Sequence, residues 1–145
     1  EIDHQEMSTN PGANLAAAVD SEIARFRELQ DEIGKLRGDL QTLLGQINEN
    51  EMVKQELELV DDGANVYKMV GPVLMKNDLQ DAKETVAKRL EFISGEKKKV
   101  ESSLSDKENK ANATAAKVQE LQGMMQRAAV EAARSIAAEQ QTAKT

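Results

Sequence analysis

The chain has no cysteine and no tryptophan, and its 145 residues include one tyrosine, two phenylalanines, two prolines and one histidine. Without cysteine, neither a disulfide framework nor a thiolate metal site can form. The single histidine, His4, has no cluster of ligand-type residues around it, so no metal or cofactor is expected. Cysteine nucleophiles, paired histidines and glycine-rich phosphate loops are all missing, and with them the convergent groups an active site needs. No catalytic residue is expected, and the chain is not read as an enzyme. No apolar run approaches the roughly 18 residues that would span a membrane, and no basic stretch followed by an apolar core marks a secretory signal. Asn112-Ala-Thr114 matches a glycosylation acceptor, but without secretion the match is accidental. A cytoplasmic protein with no membrane partner is expected. Positive charge is also scarce: 19 Lys and Arg stand against 26 Asp and Glu, a net −7. Nucleic-acid binding needs clustered cations that displace counterions, so no nucleic-acid partner is expected. The Lys97-Lys98-Lys99 run reads as a solvated helix face.

The residues that are plentiful tell more. Only 39% of the chain is hydrophobic and 31% is charged, with Ala, Glu, Lys and Leu dominant. That composition fits long helices or coiled coils better than a globular core.

Residues 1–14 are polar and rich in helix breakers, and read as a flexible tail. Met7-Ser8 fits a native start, which would make residues 1–6 an expression remnant. Asn14 is the expected N-cap of a first helix over residues 15–60. Val19, Phe26, Ile33, Leu40 and Ile47 fall seven apart, as do Leu29, Leu36, Leu43 and the polar Asn50. This alternating three-and-four spacing lays one apolar stripe along a helix. Beyond Ile47 the stripe drifts: Lys54 occupies a seam position, while Val53, Leu57 and Val60 lie beside it. Asp61-Asp62-Gly63-Ala64-Asn65 ends the helix by turn chemistry, because the ligand spacing of a calcium loop is missing. A second helix is expected over residues 79–140, with Asn77 as its N-cap and Gln80 completing a capping box. Its stripe runs through Leu79, Val86, Ile93 and Val100, and through Leu90, Leu104, Ala111, Val118 and Met125. Lys97, Lys107 and Thr114 interrupt it. Residues 141–145 form a short tail. Two amphipathic helices joined by a tight reversal fold back as an antiparallel pair.

Between them, residues 61–78 hold a β-rich island. Val66, Tyr67, Met69 and Val70 precede Gly71-Pro72, and Val73, Leu74 and Met75 follow. β-branched and aromatic residues suit a pleated surface. Gly71 can supply the positive φ of a two-residue II′ turn, with Pro72 at its second position. A lone hairpin is marginal in water, its edges invite pairing, and both faces here are largely apolar. Closing several such hairpins into an oligomeric β-barrel would remove the edges and cover both faces. The alternative is a hairpin that caps its own helix ends in a monomeric coiled coil.

Antiparallel folding brings the start of the first helix, with Val19, Ile23 and Phe26, to the Ala- and Met-rich end of the second, with Met124, Met125 and Ala128. Alanine methyls bury little area, and methionine adapts to varied surfaces. Such a tip suits the capture of exposed apolar segments of non-native chains. Ordinary thinning of a coiled-coil core toward a frayed end accounts for it equally well.

The run Asn48-Glu-Asn-Glu-Met-Val-Lys-Gln-Glu-Leu-Glu-Leu-Val60, the island Asn65-Val-Tyr-Lys-Met-Val-Gly-Pro-Val-Leu-Met-Lys-Asn77 and the following Ala82-Lys-Glu-Thr-Val-Ala-Lys-Arg-Leu-Glu-Phe-Ile-Ser94 resemble the β-type subunits of prefoldin. The pattern is most similar to the subunit 6 branch of that family, over roughly residues 16–127. The last 20 residues match no family motif. The resemblance implies a non-catalytic co-chaperone subunit. Two α-type and four β-type subunits would join their hairpins into a double β-barrel platform, making a hetero-hexamer with six coiled-coil arms. The arm tips would bind non-native actin and tubulin chains and pass them to the cytosolic group II chaperonin. By position, Val66, Tyr67, Met69, Val70, Gly71, Pro72, Val73, Leu74 and Met75 would serve subunit assembly. Val19, Ile23, Phe26, Met124, Met125 and Ala128 would be client contacts. A structural coiled-coil tether or adaptor is the reading from a different class; it would have no need of the island.

Overall fold

A computed structural model describes residues 10–144. The tail at residues 1–9, including His4 and the Met7-Ser8 start, and Thr145 lie outside the described residues. In chain order the elements are helix α1 (Pro11–Leu59), strands β1 (Val66–Val70) and β2 (Val73–Asn77), and helix α2 (Leu79–Ala143). The mainly helical class, with a small antiparallel hairpin between two long helices, is the one expected.

Both helices start at caps other than those expected. Asn10, not Asn14, caps α1: its Oδ1 accepts from the backbone N–H of Gly12 at 3.1 Å and of Ala13 at 3.4 Å. Pro11 takes the first helical position, where its missing N–H costs nothing and its fixed φ suits the helix. Four residues expected in the tail therefore join the helix. At α2 the cap is Asp78 rather than Asn77. Asp78 Oδ1 accepts from Gln80 N–H at 2.7 Å and Asp81 N–H at 3.3 Å. A carboxylate here also meets the positive end of the helix dipole, as does Asp81 in the first turn. After α1, a turn closes where Ala64 N–H donates to Asp61 O at 2.9 Å.

The chain forms two compact units. One comprises Gly34–Ser105: the end of α1, the hairpin and the start of α2. Its core is Leu57 from α1 against Ala82, Val86 and Leu90 from α2, with Ile47, Val66 and Leu79 packed around it. The other comprises the residues up to Ile33 with those from Asp106 onward. Here Val19, Leu29 and Ile33 of α1 and Ala111 and Leu121 of α2 are buried.

The polar interruptions of the α2 stripe are accommodated. Lys107 Nζ lies 2.7 Å from Glu32 Oε2 on α1, an ion pair linking the two helices of that unit. Thr114 is buried, and its hydroxyl donates to the Lys110 carbonyl one turn back at 2.8 Å. Such a bond satisfies a hydroxyl that a helix seam would otherwise leave without a partner.

Candidate functional site

The hairpin pairs Val66 with Asn77, Tyr67 with Lys76, Lys68 with Met75, Met69 with Leu74 and Val70 with Val73. That register leaves Gly71 and Pro72 as a two-residue loop. Gly71 has φ +59°, and among the described residues no other has positive φ. A loop with positive φ at its first position alone has the II′ pattern, whose twist matches that of the flanking strands. The turn is therefore the one expected from Gly71-Pro72.

Alternation along the strands defines two faces. Val66, Lys68, Val70, Val73, Met75 and Asn77 share one. Tyr67, Met69, Leu74 and Lys76 share the other. Only the base of the hairpin is tied down: Val66 packs on the Leu57 cluster. Beyond it the apolar side chains stand in solvent on both faces. Met69 is 71% and Leu74 64% exposed, and Tyr67, Val70, Val73 and Met75 are exposed as well. Neither helix of the chain covers them.

In the other unit the candidate tip residues divide. Val19 is buried, at 7% exposure, and so belongs to the seam between the helices rather than to a presented surface. Ile23, Phe26 and Met125 are half-buried, whereas Met124 and Ala128 face solvent. From Gln126 through Lys144 every residue is exposed, including the large apolar Val130 and Ile136.

Two further apolar features lie outside the expected site. Met52 and Val53 on α1 are exposed beside the hairpin base, and Phe92 projects from α2 into solvent. The drift of the stripe past Ile47 signals the first of these. Phe92 has no such signal.

Among the described residues, no three His, Cys, Asp or Glu side chains are grouped so as to hold a metal ion. No helix there is long and apolar enough to cross a membrane.

Comparison with known proteins agrees with this geometry. A family model described as Prefoldin subunit matches residues 20–125. Prefoldin subunit 6 of Arabidopsis thaliana is 37% identical over 120 residues, covering 83% of this chain and 93% of that protein. Prefoldin subunit 6 of Homo sapiens is 38% identical over 110 residues, covering 76% of this chain and 85% of its own. Among solved structures, the prefoldin beta subunit from Thermococcus strain KS-1 superimposes with a TM-score of 0.69 at 19% identity, covering 71% of this chain and 90% of that one. The last is a likeness of fold: two long helices with a hairpin between them. With the family model spanning most of its length and its relatives matched nearly end to end, the chain belongs to the prefoldin subunit family, and its similarity there is to the subunit 6 proteins.

Proposed function

We propose that the chain, a co-chaperone subunit by family, assembles through its hairpin with α-type and β-type prefoldin subunits into a hetero-hexamer. In that complex it holds non-native chains of the actin and tubulin class at its helix tips, without catalysis, and delivers them to the cytosolic group II chaperonin. The observation that carries the assembly half is the hairpin, apolar on both faces and uncovered by its own helices. A two-stranded sheet of that kind is marginal alone. Strand-to-strand pairing into a barrel removes its edges and buries both faces.

The holding half rests on the exposed apolar and alanine-rich surface of the other unit: Met124, Ala128 and the half-buried Ile23, Phe26 and Met125. Val19 contributes by shaping the seam beneath them. Each such contact is weak. Several arms presenting them at high effective concentration bind far more tightly than one, which lets a holdase work without nucleotide. The acidic balance of the chain fits a protein client rather than a nucleic acid, and the setting is the cytoplasm, where these clients fold.

The test is the mass of the complex. Mixed with α-type and β-type partners, the chain should enter a single species of about 100 kDa, six domain-sized subunits, that suppresses aggregation of denatured actin. Alone it should not form that species. A monomer that suppresses aggregation as well as the mixture does would overturn the proposal.

A further inference from the structure

We propose that the face of α1 bearing Met52 and Val53 seats the β-hairpin of an adjoining subunit, so that the complex grips this chain by a helix as well as by strand pairing. The inference rests on assembly through the hairpin and names a second element of the same interface.

Beside the hairpin base lies an open groove of about 580 Å³. Its floor is apolar, made by Met52, Val53, Leu57 and Val60 of α1 and its following turn together with Val66 of β1. Glu49 and Glu56 stand on its rim. Glu49, Met52, Val53 and Glu56 fall at i, i+3, i+4 and i+7, so one helix face carries two methionine- and valine-sized knobs between two carboxylates. This is where the heptad leaves the seam. Leu57 turns inward to the core, while Met52 and Val53 remain exposed. Because Val66 belongs both to the groove and to β1, the groove is continuous with the hairpin surface that is proposed to pair.

Charge selects the occupant. The hairpin from Val66 to Asn77 carries Lys68 and Lys76 and no acidic residue. By the register, each face presents one lysine among apolar side chains. A hairpin of this kind offers apolar residues to the floor and an ammonium to the Glu49–Glu56 rim, and complementary charge of this sort sets orientation and partner choice. The chain's own hairpin does not fill the groove, since its Met69 and Leu74 remain in solvent. An extended client segment could lie on the apolar floor, but nothing about a client requires a cation placed to meet the rim.

A photo-cross-linking amino acid at Val53 tests this in the complex reconstituted with α-type and β-type partners. The lack of native cysteine also leaves Val53→Cys available for a second, thiol-directed cross-linker. The expected adducts lie in the hairpin of one neighbouring subunit and form without client. Adducts outside any hairpin, or adducts that form only when denatured actin is added, would overturn the proposal. As a second measurement, the pair Glu49→Lys and Glu56→Lys, both on exposed positions, should speed subunit exchange roughly tenfold; unchanged exchange counts against the seat. Failure of hairpin assembly itself looks different. In that case a Met69→Ser, Leu74→Ser chain would still enter the complex, whereas failure of the groove alone leaves that chain excluded.

Discussion

Replacing the cross-strand pair Met69 and Leu74 by serine separates the stability of the chain from the stability of its assembly. In the single chain these side chains keep 71% and 64% of their exposure, so the monomer gains little from them. Fully burying a methionine or leucine contributes about 1.5–3 kcal/mol. With about two-thirds of that still unrealised, burial in a barrel would add roughly 1–2 kcal/mol for each, or about 2–4 kcal/mol for the pair. At 1.4 kcal/mol per decade, the double variant should bind its partner subunits about 30- to 1,000-fold more weakly. Serine also has a slightly lower strand propensity, a difference of less than about 1 kcal/mol, so the isolated chain should melt within a few degrees of the parent. Sedimentation velocity across a dilution series, with partner subunits held constant, reads the first quantity, and circular dichroism melting of the chain alone reads the second. Assembly within about threefold of the parent would mean that neither face is buried in the complex, and the hairpin argument would be refuted. A large drop in the melting temperature of the isolated chain would refute it differently, by showing that the pair already stabilises the monomer.

Three other substitutions probe separate links. Changing Ile23, Phe26, Met124 and Met125 together to Ser should weaken suppression of client aggregation while leaving the mass of the complex unchanged; full activity would remove these residues from the contact surface. Because Met124 alone among the four is solvent-facing, Met124→Ser should lower client binding without shifting the melting temperature. Asp78→Ala removes the acceptor for Gln80 and Asp81 N–H and should cost about 0.5–2 kcal/mol in denaturant unfolding, with Asp78→Asn recovering most of it. Leu57→Ala empties the centre of the cluster with Ala82, Val86 and Leu90 and should cost about 2–4 kcal/mol, read as lost amide protection at the start of α2 and in β1.

Much of the fold is legible from the sequence, for specific reasons. Ile33 and Leu29 are buried where the sevenfold spacing puts them, because the stripe reflects a packing constraint repeated over many residues. Gly71-Pro72 announces its turn because few other dipeptides fit a positive φ followed by a fixed negative one. The caps are harder to place. Asn10 and Asn14, or Asn77 and Asp78, are chemically near-equivalent, and the choice between them depends on dihedrals a residue or two away. Pro11 tips the first by fitting the first helical turn. Asp78 gains the second through its charge at the helix dipole. The candidate tip is only partly legible. Periodicity puts Val19 on the apolar stripe, but the same stripe that makes a residue apolar also buries it, so hydrophobicity alone does not distinguish a presented contact from a seam residue. Met52 and Val53 illustrate the converse: as a stripe they read as drift, and only the backbone reveals that the drift turns them outward beside the hairpin.

The distribution of burial explains why such a chain needs partners. Among the described residues no large side chain is fully buried, and ten apolar residues at 2–9% exposure make up the core. A pair of helices leaves each helix with one face in water, so apolar residues placed off the seam contribute nothing to folding within the chain. Met52, Val53, Met69 and Leu74 are such residues, and contiguous surface of that kind marks an interaction site. Binding a partner to the folded state alone adds stability by mass action, about 2.7 kcal/mol when the partner stands at a hundred times its dissociation constant. That increment is comparable to the loss expected from a core truncation such as Leu57→Ala. Polar positions in the seam, such as Lys107 paired with Glu32 and Thr114 bonded to its own backbone, are then affordable, because the stability they forgo is supplied where the hairpin and the α1 groove meet other subunits.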